Sequence, residues 1–244
     1  MFKESLALDL AKPSGTARAG EVLSGAGILR YAMPQPVDLE DGRTANLMYF
    51  DMAIEPEIRA LYRPQKTGTQ VLMAASLQAD QALAPGLVSV QDANGFVGDA
   101  PFTGMLAGQS RLLPFAEATG ATVNTDRRQT QRISAMISGG ERVTVNLITL
   151  RTTRYDATVP EEATLFSVEH PGGFGELDSA PGKVEQGDGF IRVTVPVEEG
   201  EVSLALVERS VSRRQYSLDS GDFERLVLDV RAGRIAVDAA LSES

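Results

Sequence analysis

Cysteine is absent from this chain, so neither a disulfide framework nor a thiolate metal site can exist in it. That absence leaves the redox compartment open, because cytoplasmic and periplasmic proteins alike can do without thiols. Tryptophan is also missing, and five tyrosines are a thin aromatic supply for a sugar-binding platform. Histidine occurs once, at position 170, so any acid–base or triad mechanism that uses an imidazole must use His170. No apolar run approaches the roughly 20 residues of a membrane-spanning helix, and Asp9 interrupts the one in the opening residues 5–11. This predicts no signal peptide and no membrane insertion by the chain. Net positive charge is lacking too: 33 acidic against 23 basic residues leave −10, spread along the sequence. Arg127-Arg128 and residues 209–214 are short basic exceptions, and the balance argues against nucleic acid and anionic membranes as partners.

What is present is an ordinary globular composition, 43% hydrophobic and 23% charged over 244 residues, enough to bury a core without covalent staples. Residues 1–27 are punctuated by Gly15, Gly20, Gly25 and Gly27 and read as an irregular opening segment. From Ile28 onward the pattern is of short strands between turn residues. Met48, Phe50, Met52 and Ile54 alternate on one face; Ile58, Ala60 and Tyr62 follow, then residues 71–77 and 87–90. Asn94-Gly95 is a hairpin signal, since that pair accepts positive φ, and it places the returning strand from Phe96. Residues 116–128, poor in large apolar side chains, form the expected boundary region.

Beyond it, strands are expected at 133–137, 143–150, 155–159, 165–170, 190–197 and 202–207, with no helical periodicity between them. The fold class predicted is all-β: two β-sandwich units, Ig-like or related, at residues 28–118 and 119–216, with a short helical extension at 217–244. In that extension Asp219 or Ser220 can cap a helix whose Phe223, Leu226, Val227 and Val230 recur at helical spacing, ending before Gly233. An isolated helix of this length cannot bury its apolar stripe, so it is expected to dock on the same chain, giving a monomer or small oligomer. Residues 234–241 could start a second helix.

Several segments in order resemble one bacterial family. Tyr31, Pro36-Val37-Asp38-Leu39, Pro85-Gly86 before Val88-Ser89-Val90, Gly98 before an alanine, Gly108 before Arg111-Leu112-Leu113-Pro114-Phe115, and Phe166-Ser167-Val168-Glu169-His170-Pro171 carry the likeness. Together they resemble the C-terminal β-rich region of the domain-of-unknown-function proteins grouped with the mucoidy-inhibitor-A-like family. The resemblance covers about residues 28–230 and implies a periplasmic, cell-envelope or secreted setting. It implies no catalytic residues, and His170 falls on a motif position without an assigned role.

His170 shares a strand face with Phe166 and Val168 while Glu169 points the other way, so Glu169 cannot orient the imidazole. The bland reading, a hydrogen-bonded histidine at a strand end before Pro171-Gly172-Gly173, outweighs a catalytic base. Asp92, Asn94 and Asp99 are weak candidates for a calcium site, and Asp219, Asp222 and Glu224 are a second acidic group; neither carries a full loop pattern. Gly172-Gly173-Phe174-Gly175 fits no nucleotide signature and reads as a chain reversal. The expectation is therefore a non-enzymatic structural or protein-interaction module without cofactors, with protein as its partner. A ligand-binding sandwich for carbohydrate or calcium is the alternative, and a hydrolase using paired carboxylates comes third.

Overall fold

The computed structural model of the chain describes residues 21–25, 28–32, 36, 38, 41–43, 57–92 and 95–238. The fold is all-β with one short helix near the C-terminal end. The described residues divide into two compact units, one within Met1–Leu61, Leu72–Thr119 and Glu162–Thr164, the other within Tyr62–Val71, Gly120–Glu161 and Leu165–Ser244.

Among the described residues, seven strands lie wholly or mainly in the first unit. β1 (Glu21–Gly25) and β2 (Ile28–Ala32) pair antiparallel, so the last part of the opening segment is strand rather than irregular chain. Glu21-Val22-Leu23 carries the strand preference that the surrounding glycines conceal. β3 (Ile58–Tyr62), β4 (Val71–Gln78) and β7 (Ser110–Glu117) are neighbours in that order, and β5 (Gly86–Asp92) pairs with β6 (Gly95–Phe102). The β5–β6 hairpin sets Asp92 opposite Gly95, so the return starts one residue earlier than expected; Asn94 lies outside the described residues. The strand expected around residues 47–54 also lies outside them. Leu77, Phe102, Leu113 and Phe115 centre the core of this unit.

The second unit is built on three long strands, β8 (Thr122–Gly139), β9 (Arg142–Thr158) and β14 (Glu201–Ser217). β8 begins inside the expected boundary region and β9 runs straight through the polar Arg151-Thr152-Thr153-Arg154, where a break was expected. Threonine is β-branched and neither glycine nor proline interrupts that run, so the ladder with β14 continues through it. β10 (Leu165–Pro171) pairs with β13 (Phe190–Pro196), which in turn pairs with β12 (Lys183–Gln186). β11 (Glu176–Ser179) borders β14, and both β11 and β12 occupy residues where no strand was expected from the sequence.

The helix α1 (Gly221–Arg231) is capped by Ser220, whose hydroxyl accepts from the Phe223 amide at 3.3 Å, and it stops at Gly233, where φ is +70°. Asp222 and Glu224 in the first turn and Arg231 in the last suit the helix dipole. Leu226, with Phe223 and Val230, packs on Ile133, Val143, Val145 and Leu147 of its own unit. Where a second helix could have started, the described residues form strand: β15 (Ile235–Val237) runs parallel to β8, and Ile235 joins the core under α1. Its Ile-Ala-Val sequence favours an extended strand at that edge, and residues 239–244 lie outside the described ones.

Candidate functional site

Strand alternation puts Tyr155 and Thr153 of β9, and Leu204, Leu206 and Glu208 of β14, on one face of the long sheet, with Leu204 opposite Tyr155 and Glu208 opposite Arg151. Phe166, Val168 and His170 of β10 face them. Here the single histidine meets its partners. The Tyr155 hydroxyl lies 2.7 Å from His170 Nδ1, and His170 Nε2 lies 3.1 Å from Glu208 Oε2. Tyr155 and His170 are each 1% exposed and Glu208 is 0% exposed.

For the neutral ring, one proton arrangement satisfies both bonds. A carboxylate can only accept, so Nε2–H donates to Glu208; Nδ1 is then the bare nitrogen and accepts from the Tyr155 O–H. Tyr62 stacks edge-on against Tyr155 with ring centroids 5.9 Å apart, which closes one side. On the other side the Arg151 Nη1 stands 3.8 Å from Glu208 Oε2, and its guanidinium lies over the Phe174 ring, 3.5 Å from the centroid. The loop carrying Phe174 approaches β14 closely: a Cβ on Gly175 would stand 2.3 Å from the Arg209 carbonyl oxygen, so only glycine fits there.

Burial, the largest influence, pushes the His170 imidazole below its ordinary 6.5; the hydrogen bond and charge of Glu208 pull it up, and Arg127 and Arg151 push it further down. Burial also raises the Tyr155 phenol well above its ordinary value, against the lowering effect of Arg127. The phenol therefore remains a donor across the physiological range. The folded protein takes up the His170 proton less readily than the unfolded chain does. The imidazole's contribution to stability is fully present above the unfolded value near 6.5 and is lost as pH falls from there toward the depressed folded value. Urea unfolding of the wild type and of His170→Gln between about pH 7.5 and pH 5.5 should show their difference shrink on acidification, by at most about 1.4 kcal/mol per pH unit for one proton. A difference that grows on acidification contradicts this.

Glu169 does point away from His170, as expected. It faces Arg192, directly opposite on β13, with Arg192 Nη2 2.6 Å from Glu169 Oε1. The buried carboxylates Glu169 and Glu208 therefore belong to opposite faces of the β10 layer and do not form a pair across an open cleft. Sequence reading missed Glu208 and Arg151. The signal for Glu208 was present, because it continues the buried alternation of Leu204 and Leu206 as a charged residue.

Asp99 accepts from the Ser89 hydroxyl at 2.6 Å, Asn94 lies outside the described residues, and among the described residues no group of three His, Asp or Glu side chains could hold a metal ion. Of the second acidic group, Asp219 accepts from the Ser217 hydroxyl at 2.5 Å, while Asp222 and Glu224 occupy the first turn of α1. Among the described residues no helix is long and apolar enough to cross a membrane. Comparison with protein-family models, curated proteins and solved structures gives no match.

Proposed function

We propose that the chain is a non-enzymatic structural or protein-interaction module of a bacterial envelope or secreted protein. The observation that carries this reading is the enclosure of its one imidazole with its carboxylate partner, at 1% and 0% exposure, which leaves no histidine facing solvent to serve as a base. The Tyr155–His170–Glu208 chain then ties two sheets together through their polar centre. The likeness of residues 28–230 to the mucoidy-inhibitor-A-like family supports the envelope setting.

Protein contact is also supported by apolar side chains turned to solvent. Ile137 and Val211 are each 59% exposed on the face of the long sheet opposite α1. Pull-down from the native organism with the wild type and with an Ile137→Asp, Val211→Asp double variant tests the reading. A protein retained by the wild type and lost by the variant, with circular dichroism unchanged, is the expected result. Identical capture by both, or none by either, counts against the module.

A further inference from the structure

The far face of β10 carries a second charged cluster. Arg192 sits between two carboxylates on neighbouring strands, opposite Glu169 of β10 and opposite Glu185 of β12. Its Nη2 is 2.6 Å from Glu169 and its Nη1 3.7 Å from Glu185. Arg63 Nε approaches the other Glu169 oxygen at 3.2 Å and Lys66 Nζ at 3.9 Å. Three cations thus gather on one carboxylate that is 4% exposed. Glu185 is shared with Lys183 at 3.0 Å, so the four cations outnumber the two carboxylates by two. That is an island of positive charge in a chain of net −10.

The two arginines are held in place rather than trailing in solvent, with side chains 19% and 21% exposed. Residues 63–70 form a turn in which the Lys66 and Thr67 amides both bond the Arg63 carbonyl oxygen at 2.9 Å, and the Thr67 hydroxyl donates to the Gln70 carbonyl at 2.9 Å. Lys66 and Arg192 both lie against the Phe190 ring, 5.5 and 5.3 Å from its centroid, and the ring covers Gly187. The Nε–H groups of Arg63 and Arg192 are buried without an aligned acceptor, and so is Glu169 Oε2 without an aligned donor, although it stands 3.2 Å from Arg63 Nε. Lys66, 63% exposed, keeps the cluster open on one side.

We propose that Arg63, Lys66 and Arg192 form a binding site for a phosphate group, either free or carried as a monoester on a small molecule. A phosphomonoester brings about −1.5 to −2 charge at neutral pH, matching the two uncompensated cations, and its oxygens suit guanidinium donors. Glu169 acts as the buried anchor that aims the two arginines. This site is independent of the module reading, because it uses neither His170 nor the exposed face at Ile137 and Val211.

The experiment is calorimetric titration of the full chain with inorganic phosphate, glycerol phosphate, succinate and chloride at constant ionic strength, repeated with Lys66→Gln. That variant removes an exposed charge without stranding Glu169, so it should fold, and circular dichroism checks that it does. Saturable binding of phosphate or glycerol phosphate is expected, weakened at least about tenfold in Lys66→Gln, the effect of one charge-assisted hydrogen bond. Tighter binding of one of the two identifies which source the site prefers. Succinate binding as tightly as phosphate, no binding beyond chloride, or an unchanged affinity in Lys66→Gln overturns the proposal.

Discussion

Replacing His170 with alanine should destabilise the second unit by about 3–5 kcal/mol, the cost of leaving the buried Glu208 carboxylate without its hydrogen-bond donor. The imidazole is the only described side chain that hydrogen-bonds both the Tyr155 hydroxyl and the Glu208 carboxylate. Without it the phenol loses its acceptor and Glu208, 0% exposed, keeps only Arg151 at 3.8 Å. A cavity is left as well, between Tyr155 and the β13 residue Ile191 that stands opposite His170. Urea unfolding followed by circular dichroism should show a lower midpoint with an unchanged slope. An unchanged midpoint together with loss of a biochemical activity would make His170 a functional rather than a structural residue.

Removing residues 219–244 should cost a comparable amount or more. Leu226 and Ile235 are 7% and 8% exposed, and burying two such side chains contributes about 3–6 kcal/mol before relaxation. Their loss also uncovers Ile133, Val143, Val145 and Leu147, and takes away Phe223 beside Tyr216, whose rings stand 6.3 Å apart. A lowered urea midpoint, or failure of the truncated chain to fold, is the expected direction. Equal midpoints would show that α1 contributes nothing to its own sheet, and a helix-binding partner would become the better account of its apolar stripe.

Strand character and the C-terminal helix were legible because both rest on local periodicity. Val143, Val145 and Leu147 announce a half-buried strand by alternation, and Phe223, Leu226 and Val230 announce a helix by spacing. Strand length was not legible. Arg151 to Arg154 looks like a turn in isolation, and pairing with β14 on one side and β8 on the other keeps it extended. Ile235 was misread for a related reason: its strand forms only because β8 offers an edge and the helix offers a cover.

The site was half legible. Alternation alone set His170 and Glu169 on opposite faces, and the hydrogen bonds agree. The identity of the imidazole's partners was hidden, because Tyr155 and Glu208 are 15 and 38 residues away along the chain and meet His170 only through register and sheet packing. Glu208 could have been suspected, since a carboxylate in line with Leu204 and Leu206 needs a partner if it is to be buried. Lys66 and Arg63 gave no periodic signal at all; their convergence on Glu169 depends on a turn.

Because the chain has one histidine, its ring nitrogens give a single, unambiguous nuclear magnetic resonance signature, and following them against pH tests the enclosed Tyr155–His170–Glu208 chain directly. The account predicts a titration midpoint below the ordinary 6.5 and, above it, a neutral ring protonated at Nε2 and bare at Nδ1. A ring half-protonated at about pH 6.5 or above, or one carrying its proton on Nδ1 when neutral, would contradict it.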